Sequence, residues 1–256
     1  NNLFSRTSLA GIMHRMLKKL ESVYNYPVEI EFTVNFTRYH DYRINLLQCR
    51  PLQTKGEIKK IDVPADLNMD KILFKTEGHF MGGSISQLIK RIIYVDPERY
   101  ADIPLTQKYD IARLIGRLNK LILDRNNMQT MLMGPGRWGT TTPSLGVPVR
   151  FSEINNISIM CEIAYKKGNL MPELSYGTHF FQDLVETDIF YVALFPDNEN
   201  TVFKDEMLIG FEEISDKILP AYDKYRDVVS VFDVSEYQLR IIGDIQSQKL
   251  ICFTDR

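Results

Sequence analysis

Hydrophobic spacing that switches repeatedly between helical and strand periodicity is the feature that most limits the fold of this chain. Apolar residues recur at helical spacing in three ranges, 3–24, 107–124 and 179–186. Alternating or short apolar runs typical of strands occupy 28–34, 43–49, 72–76, 91–95, 130–133, 157–164, 190–195, 228–231, 238–242 and 249–253. Helices that alternate with strands predict an α/β or α+β fold with a mixed sheet, and they leave the strand order open.

Charge and cysteine content exclude several classes of partner. The 31 basic and 33 acidic residues nearly cancel, so no overall field attracts nucleic acid or an anionic membrane. Apolar runs such as 189–195 are far shorter than the roughly 20 residues that cross a bilayer. Cys49, Cys161 and Cys252 lie far apart without C-x-x-C spacing, which argues against a disulfide framework or a zinc site. We expect a cytoplasmic protein with no nucleic-acid or membrane partner.

The sequence also indicates how the chain divides into domains. It opens on Asn1 inside a helical pattern, and we expect it to be a piece of a longer polypeptide. Residues 55–70 are polar, contain Gly56 and Pro64 and have weak periodicity, which is typical of a linker. We therefore predict one domain at 1–55 and a second, mixed α/β domain at 56–256.

Two strands of the first segment carry polar side chains suited to Mg-ATP. Glu29 and Glu31 share one strand face because side chains alternate along a strand. Gln48 and Arg50 follow on the next strand with the same spacing. A carboxylate supplies hard oxygen ligands for magnesium, and an arginine fork pairs with phosphate oxygens. The alternative is that these residues only form the solvated face of a half-exposed strand.

The amino-acid sequence of this hairpin resembles that of a known family. The stretches EIEFT at 29–33 and LLQCRPL at 46–52 resemble the last hairpin of the ATP-grasp domain in the phosphoenolpyruvate synthase and pyruvate phosphate dikinase family. The resemblance implies that 1–55 is a helix-hairpin remnant of that domain, with ATP and Mg²⁺ as cofactors of the full-length protein. It assigns Glu29 to the nucleotide site and Glu31 to nucleotide and magnesium binding. It assigns Gln48 and Arg50 to nucleotide and phosphate contacts, with Arg50 also a catalytic candidate that offsets charge on the transferred group.

Departures from the family pattern limit what the chain does by itself. The connection 35–43 is longer than usual, and Glu29 stands where aspartate is more common. The family's phosphate-transferring segment, Gly-Gly-x-Thr-Cys-His, does not occur in the sequence. We expect a fragment of an ATP-dependent phosphotransferase that is inactive alone, holds no tightly bound ligand and has the rest of its own polypeptide as partner.

Beyond residue 55 the sequence resembles a region of other proteins but does not indicate a reaction. The ranges 91–98, 134–139 and 177–182 resemble a region that follows the ATP-binding domain in divergent phosphoenolpyruvate-synthase-like proteins of uncertain activity. The second domain is expected either to bind a small-molecule substrate or regulate the transfer, or to be a non-catalytic module for ligand sensing or interaction.

A glycine-rich loop follows the strand at 130–133. Glycines there allow backbone amides to converge on an anion, and the candidate anion-binding residues are Gly134, Gly136, Arg137, Trp138 and Thr140. Trp138 would supply a stacking face, and the loop would form a separate nucleotide site only if Arg137 and Trp138 were exposed together. The alternative is a structural loop in which Trp138 fills a gap.

His179 is the remaining catalytic candidate. It lies at a predicted helix start, where Ser175 or Thr178 can cap the helix. A histidine at such a position can act as acid, base or phosphate contact. The alternative is a packing residue.

Overall fold

The structure is a computed structural model of the chain. It describes residues 7–25, 28–36, 41–51, 61–64, 67–165, 173–175, 178–218 and 223–255. The helices are α1 (Leu9–Tyr24), α2 (Pro97–Asp102), α3 (Leu105–Lys120), α4 (His179–Glu186) and α5 (Ser215–Ile218). The strands are β1 (Val28–Phe36), β2 (Tyr42–Pro51), β3 (Ile72–Glu77), β4 (Phe80–Met81), β5 (Ile85–Leu88), β6 (Arg91–Val95), β7 (Thr130–Pro135), β8 (Ile159–Ile163), β9 (Phe190–Leu194), β10 (Val202–Phe203), β11 (Glu212–Glu213), β12 (Val229–Asp233), β13 (Leu239–Asp244) and β14 (Lys249–Thr254).

The chain divides into two compact units, residues 1–53 and 54–256. In the first unit, α1 precedes the antiparallel pair β1–β2. Leu9 and Met13 are the buried residues of α1, and Ser8 Oγ lies 2.7 Å from Tyr42 Oη on β2. The predicted helix and hairpin are confirmed. The start of the predicted helix and part of the 35–43 connection lie outside the described residues.

A seven-stranded mixed sheet forms the centre of the second unit, in the order β11-β12-β6-β7-β8-β9-β4. The strands β6, β7, β8 and β9 are parallel neighbours in chain order, and the outer strands pair antiparallel. Parallel strands buried on both faces read as continuous apolar runs, and the side chains of β8 and β9 are all buried. The mixed sheet with helices agrees with the predicted fold class.

Each face of this sheet has a different cover. Side chains of α3 and α4, such as Ile115 and Leu184, pack on one face together with Leu132 and Tyr191. The other face packs against a five-stranded antiparallel sheet in the order β10-β3-β14-β13-β5, and residues of both sheets share one core. The second unit is therefore a three-layer arrangement of helices, mixed sheet and antiparallel sheet.

Two features of the second unit were not expected from the sequence. The helix α2 directly follows β6, because Asp96 accepts a hydrogen bond from the Arg99 N–H (2.8 Å) and Pro97 occupies the first helical turn. The predicted linker is also more ordered than its polarity suggests. Ile61, Val63 and Leu67 pack against a small core of β3, β13 and β14. Residues 55–60 and 65–66 of the linker lie outside the described residues.

In the described part of the chain, each helix is too short or too polar to cross a lipid bilayer.

Candidate functional site

The four polar residues predicted for the nucleotide site lie on one face of the β1–β2 hairpin. Glu29 is directly opposite Arg50, and Glu31 is directly opposite Gln48. A bulge follows the second pair, where the register shifts after Glu31. Because side chains alternate along each strand, these two cross-strand pairs project from the same side. The opposite side carries the apolar residues of both strands.

The two pairs differ in how they are engaged. Arg50 Nε donates a short, charge-assisted hydrogen bond to Glu29 Oε1, and both side chains are 38% exposed. Glu31 and Gln48 are exposed. The ion pair links Arg50 of β2 to Glu29 of β1, next to the Glu31–Gln48 pair in the register of the hairpin.

The donor set of this face fits a magnesium-bound nucleotide. Glu31 supplies an exposed carboxylate, and magnesium is usually held by one or two carboxylates together with substrate phosphates and water. Among the residues that the structure describes, no three His, Cys, Asp or Glu side chains group as metal ligands. The face therefore offers one protein ligand, and phosphate oxygens would have to complete the coordination.

The glycine-rich loop after β7 directs its amides inward. Four consecutive N–H groups donate to acceptors of this chain: Gly136 N to Ile163 O (2.8 Å), Arg137 N to Leu145 O (2.9 Å), Trp138 N to Glu162 Oε1 (2.9 Å) and Gly139 N to Val147 O (3.1 Å). An anion-binding loop needs N–H groups that are unpaired in the free protein. The amides at 136–139 are therefore already bonded within the chain, which favours the structural-loop alternative over the predicted anion site at Gly134, Gly136, Arg137, Trp138 and Thr140.

Trp138 gives the clearest support for the structural-loop alternative. Its side chain is 0% exposed, so it offers no stacking face to a ligand, and the condition for a separate nucleotide site, that Arg137 and Trp138 be exposed together, is not met. A side chain on Gly134 would place Cβ 2.6 Å from Trp138 Cζ2, and Gly136 has a φ of +64° with no room for Cβ. The glycines thus serve close packing of the loop around the indole.

A buried carboxylate that the sequence analysis missed holds this loop. Glu162 of β8 is 0% exposed and accepts hydrogen bonds from Trp138 N (2.9 Å), Ser175 N (2.7 Å), Ser175 Oγ (2.5 Å) and Tyr191 Oη (2.6 Å). Burial raises the pKa of Glu162 to about 6, although the hydrogen bonds from Ser175, Tyr191 and Trp138 lower it. The sequence feature that could have indicated Glu162 is its position as the single acidic residue inside the apolar run 157–164.

Arg137 and His179, the two other predicted residues, do not line a common cleft. Arg137 forms an ion pair with Glu173 (3.5 Å). His179 is exposed at the first position of α4, with Nδ1 3.3 Å from Gln182 Oε1. Thr178 is the N-cap, because its Oγ1 accepts from Phe181 N (3.2 Å). A cleft of the second unit is lined by Phe180 and other described residues, and neither Arg137 nor His179 is among them.

Comparison with known proteins bears on the first unit. A family model described as the pyruvate phosphate dikinase AMP/ATP-binding domain matches residues 7–71. The match includes α1, β1, β2 and the four polar residues of the hairpin face, and it continues past residue 53 into the second compact unit. No curated protein and no solved structure matches the chain. The resemblance seen in the sequence is confirmed for this segment: residues 7–71 match the model of the AMP/ATP-binding domain of the pyruvate phosphate dikinase family.

Proposed function

We propose that the chain is part of an ATP-dependent phosphotransferase similar to phosphoenolpyruvate synthase, and that the polar hairpin face contributes to its nucleotide site. The observation that carries this proposal is the register of the hairpin, which places Glu29 opposite Arg50 and Glu31 opposite Gln48 within the segment that matches an AMP/ATP-binding domain. Because opposite charges also pair across ordinary solvated strands, it is the position of these pairs within the matched segment that supports a nucleotide role.

Each residue of this face has a distinct role in the proposal. Arg50 binds phosphate oxygens and offsets negative charge that shifts during transfer, and Glu29 orients its guanidinium. Gln48 hydrogen-bonds the sugar or phosphate. Glu31 would hold magnesium, which when bound neutralises phosphate oxygens. The sequence lacks the Gly-Gly-x-Thr-Cys-His segment of the family, so we propose that these 256 residues do not complete the dikinase reaction alone.

The test uses the intact protein that contains these residues. ATP-dependent phosphate release and phosphoryl transfer are measured with candidate acceptors for wild type, Glu31→Gln and Arg50→Gln. We expect each variant to lose on the order of tenfold or more in turnover, because one charge-assisted contact contributes about 1.5–3 kcal/mol. Arg50→Gln should fold, since its side chain is 38% exposed.

A matched control comes from the same strand. Arg43 of β2 is exposed and pairs with Asn35, beyond the bulge from the four residues, so Arg43→Gln should keep wild-type turnover. Equal activity of Arg43→Gln, Arg50→Gln and Glu31→Gln would refute the assignment. Tight binding of ATP to the 256-residue chain alone would refute the need for further parts.

A second candidate concerns residues 56–256. We infer that this domain is a non-catalytic ligand-binding module attached to the ATP-binding domain. The observation that favours it is the structural use of the glycine-rich loop, whose amides at 136–139 are all bonded within the chain. In that case Arg137→Gln in the intact protein should leave the chemical step unchanged, and loss of single-turnover phosphoryl transfer would exclude this candidate.

A further inference from the structure

A cleft of ≈ 680 Å³ opens on the second unit. Its lining comes from α3, from the segment 139–153 and from α4. This volume lies in the range of small-molecule sites, which are about 300–1,000 Å³. Its lining residues all belong to the second unit, and nothing in the proposed nucleotide role depends on it.

Close contacts fix the walls of the cleft. Gly139 has a φ of +71°, and the ring of Phe180 lies where a Cβ would be. A Cβ on Gly116 of α3 would lie 2.9 Å from Glu153 Cγ. Asn119, 1% exposed, joins the end of α3 to the following segment by accepting from Asn156 N (2.9 Å). The walls are therefore formed before any ligand binds, which reduces the entropy cost of binding.

The lining combines aromatic rings with guanidinium groups. Phe151 and Phe180 contribute rings whose centroids are 6.5 Å apart at 75°. Tyr109 also lines the cleft, and its hydroxyl donates to Thr141 O (3.3 Å). Flat apolar surfaces of this kind bind planar groups.

Two arginines supply positive charge at the same cleft. Arg113 donates to Asp110 (3.0 Å), but its side chain is 71% exposed and retains other N–H donors. Arg150 is exposed, and its backbone N–H donates to Glu153 (2.7 Å). The lining also contains two carboxylates, those of Glu153 and of the exposed Asp183.

We propose that this cleft binds a small anion attached to a planar ring, such as an aromatic carboxylate or an aryl phosphate. The ring packs against Phe151 and Phe180. The anionic group receives hydrogen bonds from Arg113 and Arg150, because guanidinium groups recognise carboxylate and phosphate in the same planar geometry. Asp183 weakens the binding of any anion, since it places a like charge beside the ligand.

The test is an NMR titration of the whole 256-residue chain with phenyl phosphate and with benzoate. Backbone amide shifts of 139–141 and 150–153 report occupancy. Arg150→Gln should weaken binding on the order of tenfold, since it removes a charge-assisted contact. Asp183→Asn should strengthen binding. Both side chains are exposed, so neither change removes a core contact.

Two controls separate the parts of the proposal. Arg99→Gln removes an exposed arginine outside the cleft and should bind both probes as wild type does, and Arg50→Gln should do the same even if the nucleotide proposal fails. Inorganic phosphate should bind more weakly than phenyl phosphate. Equal binding of the two would refute the ring contact, and unchanged affinity in Arg150→Gln, or no shift at the cleft with either probe, would refute the site.

Discussion

Glu162 shows how one side chain can determine the state of a loop. Each carboxylate oxygen accepts from one backbone N–H, Oε1 from Trp138 and Oε2 from Ser175, together with one hydroxyl. Hydroxyls can rotate to accept, but backbone N–H groups cannot. A glutamine at this position would therefore face an N–H with its own NH₂ in either orientation, and one buried donor would stay unpaired.

We predict that Glu162→Gln lowers the free energy of unfolding by about 1–3 kcal/mol at pH 4.5, the cost of one unpaired buried group. The difference in free energy of unfolding between wild type and Glu162→Gln should become smaller as the pH rises to 7. The folded pKa is raised to about 6 from 4.5, so the folded protein binds the proton more tightly, and wild type loses this contribution as pH rises through that window. About 1.5 pKa units correspond to about 2 kcal/mol.

Urea unfolding of both proteins between pH 4.5 and 7 measures this effect. Glu77→Gln is the matched control, because Glu77 is an exposed glutamate of the same unit. A Glu162→Gln difference that stays constant with pH would show that the carboxylate does not take up its proton in this window.

At the scale of secondary-structure elements, the shortest strands were the hardest to predict from the sequence. Longer elements such as β6 and α4 lie where hydrophobic spacing places them, because each buries a full face. β4 and β10 have two residues each, too few to show a period, and their pairing depends on partners distant in sequence. The polar face of the hairpin could be predicted from the alternation of side chains along the strands and from the sequence resemblance to the family. The Glu162 contacts were not, because Ser175 and Tyr191 reach it only through tertiary packing.

The α2 helix gives a prediction at this scale. Asp96→Ala should lower the free energy of unfolding by about 1 kcal/mol, since it removes the side-chain cap of Arg99 N. The helix should persist, because Tyr100 is 0% exposed and its hydroxyl donates to Gly146 O (2.8 Å). Denaturant midpoints measure the loss. Asp96→Asn keeps a capping oxygen and should stay within a few tenths of wild type, and an equal loss in both variants would exclude capping as the cause.

At the scale of the whole molecule, the two units differ in how much core they have. The first unit contains 53 residues, and its described apolar side chains include several exposed ones, among them Phe36 at 51% and Leu47 at 63%. The second unit has two large cores on the faces of one sheet. A unit of the first size buries a smaller share of its surface and is correspondingly marginal.

We therefore predict that the first unit opens at lower denaturant than the second. Native-state hydrogen exchange followed by mass spectrometry should show fast exchange in 9–24 and 28–36 and slow exchange in β6–β9, because exchange follows local opening free energies. The seven-stranded sheet serves as the internal reference. A single free energy of opening for amides of both units would contradict this difference.

The five-stranded sheet has a consequence for how the chain reaches this structure during synthesis. The hairpin β13–β14 lies between β3 and β5, so β5 lacks its partner β13, and β3 has only the two-residue strand β10 beside it, until the last strands have left the ribosome. Ser84 and Asp244, hydrogen-bonded at 3.4 Å, are 160 residues apart. Pairings of such long range form late and expose strand edges in the meantime. The nascent second unit should therefore depend on chaperones until residue 254 is made, and a stop codon between β12 and β14 should give a product that is degraded and not a shortened folded domain.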